Sequence, residues 1–393
     1  MVPSYSWKTI CGWINYSCTV ISLKIDENKM GYRGSKSDFL FKSVKEQRVD
    51  GSYWIKPIQL RCTLTGFERN YQVKILSKQL QSRKFSIVNI PLKLNPWFVT
   101  GFSDGESSFH ISINKNNRYQ IGWSVYSKFQ IGLNIRDLSL LLQIQQFFVG
   151  VGKIHTDPQQ KFANYVVTKI SDLNNVILPH FVKYPLLSKK AADFILFQRV
   201  IEIMSNNGHL SIEGIHQIIN IKATMNLGLS DTLKYEFSYF TPVDRPIIVT
   251  QNIPDPNWIA GFVTGEGNFD VKISNSKTHK IGYQVSLRFR VWQHERDIKL
   301  MELLKKYLGS GKIEKNSRNS IVCLSVNKIS DITNIIIPFF DINSLFGVKQ
   351  FDYLDWCKVA KLKNEGLHNT MLGLDIIRTI KSGMNTGRKF NNL

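Results

Sequence analysis

The sequence predicts an α+β protein assembled from two copies of one unit, pseudo-symmetric within a single chain. Three observations carry this expectation. WFVTGFSDGESSFHISI at residues 97–113 returns as WIAGFVTGEGNFDVKI at 258–273, placing Glu106 and Glu266 160 residues apart. Downstream, GVGKI (150–154), KISDLNNVILPHF (169–181) and IKATMNLGL (221–229) return as GSGKI, KISDITNIIIPFF and IKSGMNTGR at an offset of 159. In both copies the apolar periodicity changes at the glutamate from helical to alternating. A period this long, present only twice, describes a duplicated domain and not a solenoid.

In chain order, residues 1–92 come first and lie outside the duplication. They hold 15 Lys or Arg against 6 Asp or Glu, are turn-rich at GYRGSKSD and VDGS, and have strand-like pieces such as YQVKIL. This pattern reads as a basic N-terminal extension, partly ordered at best, a leader or fusion remnant dispensable to the chemistry. The first unit is expected at 93–236, a linker at 237–255, where FTPVDRPIIVTQNIPDPN (240–257) carries four prolines, and the second unit at 256–393.

Composition narrows the function classes. Of 393 residues, 51 are Lys or Arg and 30 Asp or Glu, a net charge of +21 with a pI near 9.7, so the expected partner is a polyanion. A membrane is disfavoured, because no run of about twenty apolar residues occurs and TICGWINYSCTVISLKI is too short and polar to span. The five cysteines are scattered without C-x-x-C spacing, which argues against a zinc module or a disulfide framework and fits a reducing compartment. Pseudo-two-fold symmetry in the chain suits a target that is itself near two-fold symmetric, such as duplex DNA.

Each repeated motif opens as a helix before Trp97 or Trp258 and carries glycines four apart, Gly101 and Gly105, then Gly261 and Gly265. A glycine within a helix costs about 1 kcal/mol against alanine, so two in each copy need a packing reason. Small residues one turn apart let two helices approach backbone to backbone, here across the pseudo-dyad. That approach would bring Glu106 and Glu266 together at the helix ends. Paired carboxylates repel unless a proton or a divalent cation neutralises them, and hard oxygen donors without cysteine point to Mg²⁺. A cation held there can polarise a phosphodiester, activate water and stabilise a leaving oxygen.

After each glutamate come strands with one apolar and one polar face. Phe109, Ile111 and Ile113 oppose Ser108, His110, Ser112 and Asn114; Phe269, Val271 and Ile273 oppose Asn268, Asp270, Lys272 and Ser274. A second strand follows in each copy, VYSKFQIGL at 125–133 and VSLRFRVWQ at 285–293, with Lys128 and Gln130, then Arg288 and Arg290, extending the polar surface. Such faces suit base edges in a major groove, and Asp270 argues against uniform phosphate binding. Trp97, Trp258 and Trp356 are expected in the core, and His294 at a helix start.

With these blocks in view, the sequence resembles the single-chain LAGLIDADG homing endonucleases encoded in fungal mitochondrial introns. The resemblance runs from about Asn95 to Arg388 and also takes in YPLLSKKAADF, HLSIEGI and GVKQFDYLDWCKVAKL. It implies an αββαββα unit used twice, two antiparallel sheets forming a saddle over double-stranded DNA, and cleavage of both strands across the minor groove to leave 3′ overhangs. It implies Mg²⁺ bound by Glu106 and Glu266, the last acid of each motif, with help from the Gly105 and Gly265 carbonyls. Family members also place basic or amide side chains around the metal; by position these are Lys190, Lys349 and Gln293. The earlier motif acid is Asp104 in the first copy but Thr264 in the second, and the closing glycine is Ser107 in the first.

The same resemblance implies a mitochondrial monomer that cuts one phosphodiester per strand of a long asymmetric target and so starts intron mobility. Two other functions fit the charge and the fold. One is an RNA maturase with intron RNA as partner, and the other a DNA-binding regulator. A mutually repelling carboxylate pair kept in both copies favours the nuclease.

Overall fold

The computed structural model describes residues 93–316 and 320–388, so the expectations for residues 1–92 lie outside the described residues. Helix α1 (Pro96–Glu106) begins where Asn95 Oδ1 accepts the Trp97 N–H at 2.8 Å and Pro96, with no N–H to satisfy, occupies the first turn. It runs directly into β1 (Ser107–Lys115), so no loop separates Glu106 from the sheet. Strand β2 (Trp123–Asn134), α2 (Leu138–Phe147), β3 (Lys153–Asp157) and β4 (Phe162–Val167) complete an antiparallel sheet of order β1-β2-β4-β3. KISDLNNVILPHF then folds as α3 (Ile170–Asp172), a π-helical turn over Leu173–Ile177 and α4 (Leu178–Lys183), whose first turn accommodates Pro179. Helices α5 (Lys190–Ser205), α6 (Ile212–Thr224) and α7 (Asp231–Glu236) end the first copy.

The second copy repeats this order. Helix α8 (Pro256–Glu266), capped by Asp255, leads into β5 (Gly267–Asn275), then β6 (Tyr283–His294), α9 (Ile298–Leu308), β7 (Lys312–Asn316) and β8 (Ile321–Val326), a sheet of order β5-β6-β8-β7. Helix α10 (Ile329–Asp331), a π-helical turn over Ile332–Ile336, α11 (Ile337–Ile342), α12 (Gly347–Asn364) and α13 (Met371–Ser382) follow. The αββαββα order implied by the resemblance is therefore present twice.

The alternation explains where the cores lie. Phe109, Ile111, Phe129 and Ile131 are fully buried beneath the first sheet, and Phe269, Val271, Phe289 and Val291 beneath the second. The two cores interlock, because Ala260 of α8 joins the first while Trp97 of α1 and Leu187 pack with the second. No described helix is long and apolar enough to cross a membrane.

The Pro-rich segment 237–255 has no regular secondary structure, yet it does more than connect. Arg245 reaches back to bracket buried Asp193 of α5, its Nη1 and Nη2 donating at 3.0 and 2.9 Å. In the second copy the matching Asp352 takes Arg388 Nε at 3.0 Å from its own IKSGMNTGR block. The first copy's block ends in Leu229, so the linker supplies the missing guanidinium.

One buried histidine predicts acid sensitivity. Thr100 Oγ1 of α1 donates to the Tyr184 carbonyl at 3.0 Å and so accepts from His180 Nε2 at 3.1 Å, which puts a proton on Nε2 of a ring set among Phe147, Phe148 and Phe181. Burial lowers the His180 pKa from 6.5 to about 3. The folded chain thus binds fewer protons at this site than the unfolded chain between those values, and stability falls as pH drops through that window by on the order of a few kcal/mol. His180→Gln is expected to flatten the Tm-against-pH profile between pH 6.5 and 4; an unchanged slope would remove His180 from the acid response.

Candidate active site at the pseudo-dyad

Helices α1 and α8 meet backbone to backbone. A Cβ at Gly101 would overlap the Trp258 carbonyl and lie 3.0 Å from Phe262 N, and one at Gly261 would overlap the Phe98 carbonyl and lie 2.8 Å from Phe102 N. One turn on, the second glycines face the opposite glutamates. Positions for a Cβ at Gly105 and Gly265 lie 3.2 Å from Glu266 Cγ and 3.1 Å from Glu106 Cγ, so each carboxylate arm folds over the other helix's glycine. Without Cβ atoms the arms have room, which explains why both turns of each helix are glycine.

Both carboxyl groups have raised pKa values. For Glu106 the cause is burial, opposed by Lys190 and then Lys349; for Glu266 it is burial and then the charge of Glu106 itself. The pair itself offers carboxylate oxygens, donors that fit a hard divalent cation, and of the carbonyls at the same helix ends that of Gly105 already accepts from Lys190 Nζ at 3.0 Å. Among the described residues no group of three or more His, Cys, Asp or Glu assembles here or elsewhere. Two carboxylates alone would leave most of a divalent cation's coordination sphere open to other oxygen ligands.

The structure brings two of the three basic or amide candidates to this point. Lys190 Nζ donates to the Gly105 carbonyl at 3.0 Å and to the Ser103 carbonyl at 2.8 Å, the latter also accepting from the Ser107 N–H and hydroxyl, at the negative C-terminal end of α1. Burial pushes its pKa down to about 8 against the pull of Asp104, Glu266 and Glu106. Lys349 Nζ donates to the carbonyl of Gly267, the residue that follows α8 and corresponds to Ser107, and its pKa is lowered by burial. Gln293 makes no bond to either glutamate or lysine; its Oε1 accepts the His294 N–H at 2.8 Å. His294 caps the turn before α9 through Arg296 N at 3.2 Å.

Three aspartates set this geometry: Asp104, which the sequence shows as the earlier motif acid without its role, and Asp137 and Asp297, which sequence reasoning missed. Asp104, fully buried, accepts from Leu187 N (2.9 Å), Ser188 N (3.0 Å), Ser188 Oγ (2.6 Å) and Trp258 Nε1 (2.8 Å), tying the approach to Lys190 onto both motif helices. Thr264, its counterpart, bonds only within α8, to the Ala260 carbonyl at 2.7 Å. Asp297 of the second copy accepts the Lys189 N–H at 2.6 Å, and Asp137 of the first accepts the Val348 N–H at 2.7 Å. The available signal was the repeat of NIRDL (134–138) as HERDI (294–298), with Arg-Asp at an offset of 160.

The polar strand residues lie in paired rows. In the first sheet Ser108 faces Gln130, His110 faces Lys128 and Ser112 faces Tyr126, and Asn114 ends the row. In the second, Asn268 faces Arg290, Asp270 faces Arg288, Lys272 faces Ser286 and Ser274 faces Gln284. Asp270 is not a free acceptor, since Arg288 Nε donates to it at 2.8 Å and Arg290 stands 3.5 Å away. Tyr126, Asn164, Lys153 and His155 continue the first face, and Trp292 and Lys312 the second. Strands of five and six residues were too short to show this by alternation. Between the halves a cleft of about 620 Å³ is lined by Glu106, Asp137, Lys161, Asn268, Lys349 and Asp352, among others.

Comparison with known proteins agrees with this geometry. The family model described as LAGLIDADG endonuclease matches residues 99–201 and 259–360. A relative from Neurospora crassa named probable intron-encoded endonuclease 3 is 48% identical over 395 aligned residues, covering 96% of this chain and 74% of its own length. The crystal structure of the I-SmaMI LAGLIDADG homing endonuclease bound to cleaved DNA superposes with a TM-score of 0.74 at 42% identity, over 76% of this chain and 99% of that one. The same protein is known bound to an uncleaved DNA target with calcium ions, at 43% identity, TM-score 0.74 and 75% and 100% coverage. The duplicated motif, the helix pair at the dyad and these matches together place the chain in the LAGLIDADG endonuclease family.

Proposed function

We propose that the chain is a Mg²⁺-dependent, site-specific endonuclease that hydrolyses one phosphodiester in each strand of a long asymmetric DNA target. The observation that carries this reading is the pair Glu106 and Glu266, each folded over the other helix's glycine, with a lysine docked beside each helix end. When bound, the cation polarises the phosphate and acidifies the attacking water. The protein's part is to hold charge in place. Glu106 and Glu266 bind the metal, and Lys190 and Lys349 present fixed ammonium groups to the phosphates. With a pKa near 8, Lys190 stays mainly protonated at neutral pH and balances charge developing on the leaving oxygen.

The two polar faces read the two halves of the target. Their unequal chemistry, Ser108, His110, Lys128 and Gln130 against Asn268, Asp270, Arg288 and Arg290, makes the halves different in sequence. The units 93–236 and 256–393 act as one monomer. The names of the relatives support an origin within an intron and, for one yeast relative, a mitochondrial one, so we place the protein in the mitochondrion with intron mobility as its role.

The test is cleavage of a DNA library randomised around candidate insertion sites, with Mg²⁺ against Ca²⁺ or EDTA. Products cut on both strands a few nucleotides apart, with Mg²⁺ only, are expected. Salt-dependent binding without product would transfer the reading to an RNA maturase, with intron RNA as the next ligand.

A further inference from the structure

We propose that Asp137 and Asp297 are positioning residues through which each half of the protein sets the lysine of the other half, and that the two half-sites are unequally held. The inference rests on the nuclease reading above. Helices α5 and α12 carry Lys190 and Lys349 in their first turn, where N–H groups need an acceptor. The residues at their own cap positions, Lys189 and Phe346, make no side-chain capping bond. At the residue before each lysine the acceptor comes from the opposite half, Asp297 Oδ1 for Lys189 N and Asp137 Oδ1 for Val348 N, while the Lys190 N–H is accepted within its own half by Ser188 Oγ at 3.2 Å.

The contact at α12 is close-fitting as well as bonded. Gly347 has φ +64, and a Cβ there would lie 2.5 Å from Asp137 Oδ1, so the carboxylate sits against bare backbone. Closing the two halves and setting the lysines are therefore one event.

The anchors differ in number. The segment leading to Lys190 is held twice, by Asp297 and by three bonds from residues 187 and 188 to Asp104. At the second half-site Thr264 stands in place of that aspartate and spends its hydroxyl on α8, leaving Asp137 as the side chain that fixes the start of α12. Loss of Asp137 should free Lys349, whereas loss of Asp297 leaves Lys190 on its second anchor.

The experiment is single-turnover cleavage of supercoiled plasmid bearing the target, with nicked and linear products and the nicked strand resolved. Asp137→Ala is expected to cut one strand within about threefold of wild type and the other about tenfold or more slowly, so that a nick always in the same strand accumulates. Asp297→Ala should slow only the opposite strand's cut, by about threefold because Asp104 still holds the segment before Lys190, and Asp137→Asn, which keeps the acceptor oxygen, should restore coupled cutting. DNA affinity should hold throughout, which a general loss of structure would not allow. If Asp137→Ala fails to fold, Asp137→Ser, too short to reach Val348, takes its place with the same expectation. Equal slowing of both strands, or the same bias in the Asp137 and Asp297 variants, would overturn the inference and leave the nuclease standing. A wild type that binds but never cuts would sink the parent reading and this one with it.

Discussion

Replacing Glu106 or Glu266 by Gln is expected to lower double-strand cleavage about 10³-fold or more while leaving DNA affinity within a few fold, because the variant loses a charged metal ligand and keeps the shape of the dyad. The same substitutions should raise, not lower, the Tm of the metal-free protein. Burial and, for Glu266, the charge of Glu106 raise these carboxyl pKa values above 4.5. Such groups contribute stability that is present at low pH and lost as pH rises through the folded pKa, and glutamine stands in for the protonated form at all pH. Activity and stability moving in opposite directions separates a functional pair from a structural one. Cleavage retained by either variant, measured on the target that wild type cuts, would remove that residue from the chemistry.

Gly101→Ala and Gly261→Ala are expected to damage the fold severely. Helix propensity alone favours alanine by about 1 kcal/mol. Here the added methyl would enter the backbone carbonyl of Trp258 or Phe98, which belongs to the facing helix and cannot rotate away. The helices must separate instead, at a cost of about 3 kcal/mol or more, so the clash outweighs propensity. Gly105→Ala differs in kind. Its methyl meets the flexible Glu266 arm at 3.2 Å, so it should displace that carboxylate and reduce cleavage more than it lowers Tm. Thermal unfolding of the three variants beside their cleavage rates checks the order; a Gly101→Ala protein as stable as wild type would contradict the close helix approach.

The helix pair and the inner strands were legible in the sequence because single short-range rules govern them. Helical glycines four apart demand a close neighbour, and Phe109, Ile111, Phe269 and Val271 mark a buried face by simple alternation. Lys190 and Lys349 were reachable only as positions in a family pattern, since a lysine before an apolar helix has an equal claim to be solvated. Gln293 shared that positional warrant, but its Oε1 accepts from the His294 N–H instead. The bonds from Asp137 and Asp297 were illegible because donor and acceptor lie in different copies, 211 and 108 residues apart, and nothing local distinguishes a trans cap from a surface carboxylate. Arg245 was hidden for a related reason. It sits in a segment whose prolines announce a linker, while its partner Asp193 is buried in α5.

The central claim is that one metal-binding centre, formed by a carboxylate from each copy, lies on the pseudo-dyad. Diffraction from the protein with its DNA target and Mn²⁺, using the anomalous signal of the metal, tests it most directly. The account predicts metal density within about 2.0–2.6 Å of carboxylate oxygens from both Glu106 and Glu266, completed by phosphate oxygens of the two strands. Metal bound away from these residues in a complex that still turns over would contradict it.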